Sequence, residues 1–201
     1  MLRLTQPMSR VFVVLSGLPG SGKTTLARPL SAELGLPLLD KDDILESLFE
    51  SLGVSTPEER SRLSRASDRV LLDVARTSQG AVLSSFWRRE SLSKTSGTPT
   101  EWLRELPDAS VVEVLCECPP RLAAARYAGR RRHPGHFDDH KRAAETVWQF
   151  EQLAAAGPLS IGPLLRVDTT RQVDVEVLAR AVRESAVSRR RPDSRSSRDI
   201  R

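Results

Sequence analysis

The sequence predicts a three-layer α/β domain built on a doubly wound parallel sheet. Short, valine-rich apolar runs recur along the chain, as in residues 11–16 and 111–116, and such runs are typical of strands buried on both faces of a parallel sheet. Segments with helical spacing alternate with these runs, which is the pattern of βα units. A glycine-rich turn follows the first run and leads into a helical segment, as expected where a strand passes into a helix.

The first half of the chain contains three predicted helices and two predicted strands. Residues 23–34 are good helix formers, and the glycine that follows them suits a helix C-terminus. A short strand is predicted at residues 37–39. An acidic first turn and apolar residues at helical spacing then predict a helix over residues 40–51. Thr56-Pro57-Glu58-Glu59 combines a cap residue, a first-turn proline and acidic side chains, which predicts a helix over residues 57–77.

The second half continues the alternation. Gly97 and Pro99 interrupt one helical pattern, so that helix is expected to be broken. Pro119-Pro120 precedes a segment rich in Ala and Arg, as at a helix start. The elements predicted here are strands at residues 81–85, 111–116 and 164–167 and helices at residues 88–106, 119–133, 138–156 and 173–187.

Length and charge indicate the domain organisation. A chain of 201 residues can bury a core without metals or disulfides, so we expect one domain over residues 1–187. The formal net charge is +5, but residues 188–201 hold six arginines and two aspartates, which leaves +1 for the rest. This Ser/Arg tail is predicted to be disordered. A nucleic-acid-binding or partner-binding arm is the open alternative.

The cysteines and apolar runs favour a cytoplasmic protein without a membrane partner. Cys116 and Cys118 alternate within an apolar run, so a strand would point both side chains toward one face. We interpret them as small core hydrophobes, because a lone C-x-C predicts neither a disulfide framework nor a tetrahedral metal site. No apolar run reaches membrane-spanning length, and the segment before Arg10 lacks a sufficient apolar stretch for a signal peptide.

The segment Gly17-Leu18-Pro19-Gly20-Ser21-Gly22-Lys23-Thr24 matches the phosphate-binding pattern G-x-x-x-x-G-K-[ST]. Its glycines let the backbone curl until N–H groups point at phosphate oxygens, and the following helix adds its positive N-terminus. Lys23 can reach the β- and γ-phosphates, and the Thr24 hydroxyl is placed to ligate Mg²⁺. Thr25 is a candidate contact to the α-phosphate. The pattern predicts a site for a nucleoside triphosphate and magnesium.

Other segments narrow the class of nucleotide-binding protein. The sequence contains no N-K-x-D for reading guanine and no convincing apolar strand that ends in D-E. The predicted strand at residues 81–85 leads into Ser84-Ser85-Phe86-Trp87, where many P-loop enzymes carry an aspartate that holds magnesium through water. The metal would then depend on Thr24, phosphates, water and Asp42. Phe86 and Trp87 either shape an acceptor pocket or pack in the core.

The motif at residues 17–27, Leu-Asp-Lys-Asp-Asp-Ile at residues 39–44 and a later arginine-rich segment together resemble a family of small P-loop kinases. This family includes chloramphenicol phosphotransferase, gluconate kinase and the kinase domain of polynucleotide kinase. The resemblance covers about residues 11–182. It implies the P-loop NTPase fold of nucleoside and shikimate kinases with a helical, Arg-rich lid at about residues 119–137. It also implies ATP and Mg²⁺ as cofactors and a hydroxyl acceptor.

In such kinases an aspartate just after the second strand orients or deprotonates the acceptor hydroxyl. The matching residue is Asp42, and Asp40 and Asp43 are less favoured candidates. A carboxylate at the end of a strand beside the P-loop strand also faces the crevice where doubly wound sheets bind ligands. Helix capping or a favourable interaction with the helix dipole is the alternative role for these aspartates.

The resemblance implies lid arginines that close over the phosphates. Arg126 and Arg130 lie four residues apart, hence on one helical face, and a guanidinium can donate two parallel hydrogen bonds to phosphate oxygens. The alternative is a solvated basic face, which is favoured for Arg131 and Arg132. His133-Pro134-Gly135-His136 is expected to be the flexible far end of the lid, and a metal site there needs further ligands.

The sequence does not identify the acceptor or the residues that contact the nucleotide base. Asp168-Thr169-Thr170 resembles the stretch near the adenine in related kinases, although Asp168 as a helix cap is an equal alternative. A sugar, an antibiotic and a nucleoside are all candidate acceptors. A 5′-hydroxyl polynucleotide kinase and a nucleotide-dependent regulatory ATPase are the alternative functions. The near-neutral charge of the body disfavours nucleic acid as the partner.

Overall fold

The computed structural model describes residues 10–89, 91–137, 143–188 and 197–200. Its strands are β1 (Arg10–Gly17), β2 (Leu38–Asp40), β3 (Gly80–Ser84), β4 (Ala109–Glu117), β5 (Leu164–Asp168) and β6 (Ser197–Ile200). Its helices are α1 (Lys23–Leu34), α2 (Lys41–Leu52), α3 (Pro57–Thr77), α4 (Glu101–Arg104), α5 (Pro120–Gly129), α6 (Ala143–Ala155) and α7 (Val175–Ser188), with a 3₁₀ turn at Pro134–His136. The elements alternate as the sequence predicts.

The strands form one parallel sheet in the order β2-β3-β1-β4-β5-β6. Successive β1 side chains enter different cores, because strand side chains alternate between the two faces of a sheet. Val13 and Leu15 belong to one core with residues of α1 and α7, whereas Phe12 and Val14 belong to another with residues of α3. Helices therefore cover both faces, and the predicted three-layer, doubly wound architecture is confirmed.

The order of the strands places a crevice at the carboxyl end of β1. β3 lies on one side of β1 and β4 on the other, so the chain segments that follow these two strands diverge above the sheet. Open α/β sheets bind ligands at such a switch point. The turn between β1 and α1 lies in this crevice.

Capping residues start and end the helices near the site. Thr56 and Glu59 form a complete capping box at the start of α3, as the sequence predicts. Gly35 ends α1 with a left-handed φ of 66°. Asp40 caps α2, where its side chain accepts a hydrogen bond from the backbone N–H of Asp42. The capping alternative for Asp40 is therefore confirmed.

The predicted broken helix over residues 88–106 is wrong. Among the described residues of this range, only Glu101–Arg104 is helical, and the preceding segment is a loop that folds back on itself. The Arg88 N–H donates to the Thr98 carbonyl, and the Thr98 N–H donates to the Phe86 carbonyl. Gly97 has a φ of +90°, and a Cβ there would lie 2.8 Å from the Arg88 nitrogen. Glycine permits this close approach of two backbone segments, which helix periodicity does not indicate.

Part of the predicted tail, Ser188 and residues 197–200, falls within the described residues. α7 extends to Ser188, and Ser197–Ile200 pair as β6 with β5. The unpaired groups of an edge strand can pair with any extended segment, so a polar composition does not exclude a strand. The other tail residues, and residues 138–142 at the start of the predicted sixth helix, lie outside the described residues. The division into a domain and a tail stays a prediction.

The two cysteines occupy different surroundings. Cys116 is buried in the core on β4, as predicted, whereas Cys118 lies just beyond that strand and is partly exposed. Burial raises the pKa of the Cys116 thiol to about 12, so this thiol is un-ionised at neutral pH. Among the described helices, none is both long and apolar enough to cross a bilayer.

Candidate active site

The turn between β1 and α1 has the curled backbone that a phosphate cradle requires. Gly17, Gly20 and Gly22 have φ values of 128°, 76° and 87°, which side-chain-bearing residues rarely adopt. A Cβ at Gly20 would also overlap the carbonyl oxygen of Ala123 in α5. The glycine pattern therefore serves two purposes here, since it curls the turn and lets α5 pack directly against it.

The Lys23 side chain lies over this turn. Its Nζ donates hydrogen bonds to the Gly17 carbonyl at 3.1 Å and the Leu18 carbonyl at 2.7 Å. Burial lowers the pKa of Lys23 to about 8, and nearby Cys116 and Asp42 oppose that shift. An amine with reduced hydration and no carboxylate in direct contact within the described residues suits an anionic ligand, because an anion would stabilise its charged form.

Two further observations indicate that the turn suits a triphosphate. The Ser21 hydroxyl is buried without a hydrogen-bond partner, and such a group gains from a ligand that pairs with it. Thr24 and Thr25 are exposed at the mouth of the turn and line the same cleft. The Leu18 side chain instead packs with Ala123, Ala124 and Phe150, so only its backbone remains available to phosphates.

Thr24 and Asp40 form a side-chain pair at the edge of the cleft. The Thr24 Oγ1 donates to the Asp40 Oδ2 at 2.9 Å, and Asp40 is 4% exposed. Burial raises the pKa of Asp40, while hydrogen bonds from the Asp42 backbone and Thr24 lower it. A hydroxyl beside a carboxylate is an oxygen set that Mg²⁺ favours.

A carboxylate lies beside the end of β3, although β3 itself ends in Ser84. Asp40 on β2 and Ser84 on β3 are register neighbours. In the sequence, Ser84-Ser85 stands where a metal-binding aspartate is expected, and Asp40 is predicted only as a less favoured candidate than Asp42 for the acceptor hydroxyl. The position of Asp40 at the end of the predicted strand β2 could have indicated a site residue. The pairing of β2 with β3 is what brings the Asp40 side chain beside Thr24.

Asp42 and Asp43 diverge although they are adjacent in sequence. The Asp42 side chain lines the cleft, and its Oδ2 accepts a hydrogen bond from the Arg132 Nη2 at 2.6 Å. Asp43 pairs with Arg28 at 3.4 Å, and both of those side chains are more than half exposed. Of these two aspartates, Asp42 is therefore the one that lines the cleft.

The lid segment brings three arginines to the cleft rather than two. Arg126 donates to the Thr169 carbonyl at 3.2 Å, and the Arg130 guanidinium lies 4.7 Å from the centre of the Tyr127 ring. Both line the cleft, but α5 ends at Gly129, so Arg130 lies just beyond the helix and not on the helical face predicted for the pair. Arg132 was expected to be solvated, and that prediction is wrong, because its side chain is only 16% exposed and pairs with Asp42. Arg132 and Asp42 are 90 residues apart in the sequence, so no local sequence pattern could have predicted that they pair.

The expected flexible end of the lid is docked on α2. Gly135 packs against Phe49 and Val54, and the His136 Nε2 hydrogen-bonds Glu46 Oε1 at 2.8 Å. Burial, followed by the Arg132 charge, lowers the pKa of His136. Within the described part of the chain, no three His, Cys, Asp or Glu side chains are grouped to hold a metal ion.

One cleft of about 1390 Å³ contains these groups. Relative to β1, its β4/β5 side holds Arg126 of α5, Arg130 just after that helix, and residues 169, 171–173 and 175. A Cβ at Gly22 would lie 3.8 Å from the Thr169 Cβ. Its β2/β3 side holds Asp42, a face of α3 and the loop after β3. The phosphate-binding turn lies between the two sides.

The aromatic pair after β3 is divided between the cleft and the core. Phe86 is 37% exposed and lines the cleft, whereas Trp87 is 4% exposed. The Trp87 Nε1 donates to the Leu15 carbonyl at 2.8 Å. Core packing therefore applies to Trp87, and a role of Phe86 in an acceptor pocket stays a prediction.

A polar network that the sequence analysis missed supports the β2/β3 side. Asp68 on α3 accepts from Lys41 Nζ at 2.6 Å and from Thr98 Oγ1 at 2.7 Å. Thr98 also lies 2.5 Å from the Ser85 hydroxyl. These contacts connect α2, α3, the end of β3 and the following loop, and no local pattern could have indicated them.

The stretch after β5 forms a tight turn. The Asp168 Oδ1 accepts from the Thr170 N–H at 2.9 Å and from the Thr170 hydroxyl at 2.6 Å, and these bonds lower the pKa of Asp168. Asp168 therefore caps a turn, and α7 begins only at Val175. Thr169 is the residue of this stretch that lines the cleft.

Comparisons with known proteins agree with this geometry. The model of the AAA_33 family, described as an AAA domain, matches residues 12–156. A UPF0200 protein of Aeropyrum pernix is 28% identical over 156 residues, which are 77% of this chain and 78% of the relative. A cytidylate kinase of Ignicoccus hospitalis is 39% identical over 70 residues, 32% of this chain and 41% of that protein.

Solved structures share the fold. The crystal structure of a “putative kinase” from Chloroflexus aurantiacus has a TM-score of 0.74 and 28% identity, and the match covers 89% of this chain and 99% of that one. Shikimate kinase from Acinetobacter baumannii, at 18% identity, has a TM-score of 0.55 over 91% of this chain and 96% of that one. The family model spans well over half of the chain, so this protein belongs to the AAA_33 family and carries a kinase-like P-loop domain.

Proposed function

We propose that this protein is a kinase that transfers the γ-phosphoryl group of ATP to a hydroxyl group of a small-molecule acceptor. The observation that carries the proposal is the position of Asp42 on the same cleft as Lys23 and Thr24. A carboxylate beside a phosphate-binding turn can accept a proton from a hydroxyl nucleophile next to the terminal phosphate.

The phosphate-binding residues act mainly by charge and position. The backbone of residues 17–22 would hold the phosphates, with Lys23 on the β- and γ-phosphates and Thr25 on the α-phosphate. Thr24, and Asp40 through water, would hold the magnesium ion. Bound Mg²⁺ neutralises charge on the β- and γ-phosphate oxygens.

Transfer requires one bond to form and one to break. The acceptor oxygen bonds to the γ-phosphorus as the bond from that phosphorus to the β–γ bridging oxygen breaks, and ADP leaves. Asp42 takes the hydroxyl proton. Arg126 and Arg130 stabilise the charge on the transferring group, because guanidinium groups pair with phosphate oxygens through parallel hydrogen bonds.

The test is ATP consumption with Mg²⁺ across hydroxylated metabolites, antibiotics and 5′-hydroxyl oligonucleotides. We expect one acceptor class to stimulate turnover. Lys23→Ala and Asp42→Asn should each lower kcat/KM for that acceptor by roughly 100-fold or more. Asp43→Asn is the matched control, because Asp43 is the next residue on α2 and pairs on the exposed surface.

Two results would replace the proposal. Slow hydrolysis without any acceptor, unchanged in Asp42→Asn, would indicate a regulatory ATPase. Stimulation by 5′-hydroxyl oligonucleotides alone, with strongly salt-dependent KM, would indicate a polynucleotide kinase, since nucleic-acid binding releases counterions.

A further inference from the structure

The cleft carries far more positive than negative charge. Ten lysines and arginines line it, against three aspartates. The triphosphate proposed above accounts for Lys23 at the phosphate-binding turn and for Arg126 and Arg130 of the lid segment. It does not account for the cations on the β2/β3 side.

Two of the cations on that side are already neutralised. Lys41 pairs with Asp68 at 2.6 Å, and Arg132 pairs with Asp42 at 2.6 Å. These pairs use both aspartates that the cleft has beyond Asp40. Any further cation there must depend on water or on a ligand.

Four further cations line the β2/β3 side without such a pair. They are Arg60, Arg65, Arg88 and Lys94. Within the described residues, their side chains make neither an ion pair nor a hydrogen bond. The Nε atoms of Arg60 and Arg88 are also buried without a hydrogen-bond partner.

Buried N–H groups of this kind are costly unless something pairs with them. An unsatisfied buried donor costs about 1–3 kcal/mol, and more when it is charged. Proteins rarely keep two such groups on one side of a cleft, because most buried polar atoms have partners. An oxyanion can satisfy such groups, because a guanidinium presents a fork of donors that matches carboxylate and phosphate oxygens.

The surroundings of these two arginines also suit a polar ligand. Arg60 lies on the face of α3 that presents Ser61, Ser64 and Arg65 to the cleft. Arg88 lies in the loop that follows β3, and the same loop presents Thr95 and Ser96. A hydrogen bond from Thr98 in this loop to Asp68 on α3 connects the loop to the helix. The elements that carry Arg60 and Arg88 are therefore fixed relative to each other.

We propose that Arg60 and Arg88, assisted by Arg65 and Lys94, bind an oxyanion group of the acceptor. The acceptor is then a hydroxylated anion, which carries a carboxylate or a phosphate ester in addition to the hydroxyl that is phosphorylated. This inference rests on the proposed kinase function, because the site is an acceptor site only in a kinase. It excludes neutral sugars and neutral antibiotics as efficient acceptors.

The first experiment measures binding without turnover. The protein is saturated with ADP and Mg²⁺ and titrated calorimetrically with sodium sulfate. Saturable binding is expected for the wild type, with affinity at least roughly tenfold lower in Arg60→Met and in Arg88→Met. Arg60→Lys and Arg88→Lys should fall between, because lysine keeps the charge and loses the fork of donors.

The matched control is Arg62→Met, since Arg62 is an exposed arginine on α3 that does not line the cleft. All variants must keep the wild-type affinity for ADP and melting temperature, which separates a lost subsite from a lost fold. No saturable sulfate binding in the wild type, or equal binding in Arg60→Met and Arg88→Met, would overturn the proposal.

The second experiment uses acceptors that differ only in their anionic group. Glucose, glucuronate and glucose 6-phosphate share one pyranose ring and carry a neutral, a carboxylate and a phosphate group at C6, and analogous series are taken for any acceptor that the panel identifies. The anionic members should have the higher kcat/KM, and Arg60→Met and Arg88→Met should raise their KM while the KM for ATP stays unchanged. The carboxylate and phosphate arms show which oxyanion is preferred.

The two proposals can fail separately. A neutral acceptor that is phosphorylated at least as efficiently as its anionic counterparts overturns the oxyanion site and leaves the kinase function standing. Sulfate binding that depends on Arg60 and Arg88, without acceptor-stimulated ATP consumption, overturns the kinase function and leaves the anion site standing.

Discussion

Arg132 donates a hydrogen bond to Asp42 at 2.6 Å between Nη2 and Oδ2, and this contact joins the segment after α5 to the first turn of α2. The proposed acceptor-binding carboxylate is therefore held by a residue of the lid. His136 of the same segment bonds Glu46 one turn further along α2. The lid is thus docked at two points on the helix that carries Asp42, so lid position and Asp42 orientation are coupled.

Removing the Arg132 contact should loosen the lid. Arg132→Gln is expected to raise amide hydrogen exchange over residues 132–137 by roughly two- to fivefold, because partly exposed ion pairs contribute up to about 1 kcal/mol. Arg131→Gln is the control, since Arg131 is exposed and lies next in sequence. Hydrogen-exchange mass spectrometry measures the effect, and equal exchange in the two variants would contradict the docking role.

The contact of Gly20 with α5 should make this glycine more sensitive than other left-handed glycines. Gly20→Ala is expected to lower the free energy of unfolding by roughly 3 kcal/mol or more and to weaken ADP binding, because backbone strain adds to overlap with Ala123. Gly35→Ala has a comparable φ of +66° but no atom within 4 Å, so it should cost only about 1 kcal/mol. Urea unfolding of the two variants compares them, and similar losses would show that α5 does not press on the turn.

The Asp68 network should contribute far more to stability than a surface pair of the same type. Asp68→Asn leaves the mostly buried Lys41 without its carboxylate, and we expect a loss of roughly 3 kcal/mol in the free energy of unfolding. Asp73 on the same helix pairs with Arg69 at 2.7 Å, but both side chains are at least half exposed. Asp73→Asn should therefore cost less than about 1 kcal/mol. Chemical denaturation that gives equal losses would refute the assignment.

His136 should make stability depend on pH in the acidic range. Burial and the Arg132 charge lower its pKa, although the hydrogen bond to Glu46 and the charges of Asp42 and Glu46 raise it. The unfolded chain then binds a proton at a higher pH than the folded one, so the free energy of unfolding decreases as pH falls below about 6.5. His136→Gln keeps a donor toward Glu46 and removes this titration, so its stability should decline less between pH 7 and 5. Urea unfolding at each pH measures the effect. If the free energy of unfolding declines equally in the wild type and in His136→Gln, His136 is not the group responsible.

Local patterns in the sequence were sufficient for most of the fold. The extents of α1 and α3 match the predicted ones, because glycine caps, capping boxes and helical spacing act over only a few residues. The loop after β3 could not be foreseen, because its backbone pairing between Arg88 and Thr98 depends on the rest of the domain. For the same reason the strand at Ser197–Ile200 depends on the free edge of β5 and not on its own composition.

By itself, the sequence determined the α/β class, the phosphate-binding turn and the presence of carboxylates after β2, because each of these depends on a pattern of residues close together in the chain. Tertiary structure alone decided which side chains meet. The pairing of β2 with β3 brings Asp40 to Thr24, and the docking of the lid on α2 brings Arg132 to Asp42. The separation of 90 residues between Arg132 and Asp42 is bridged only by packing. Such contacts follow from burying two faces of one sheet, a global constraint that local sequence patterns do not contain.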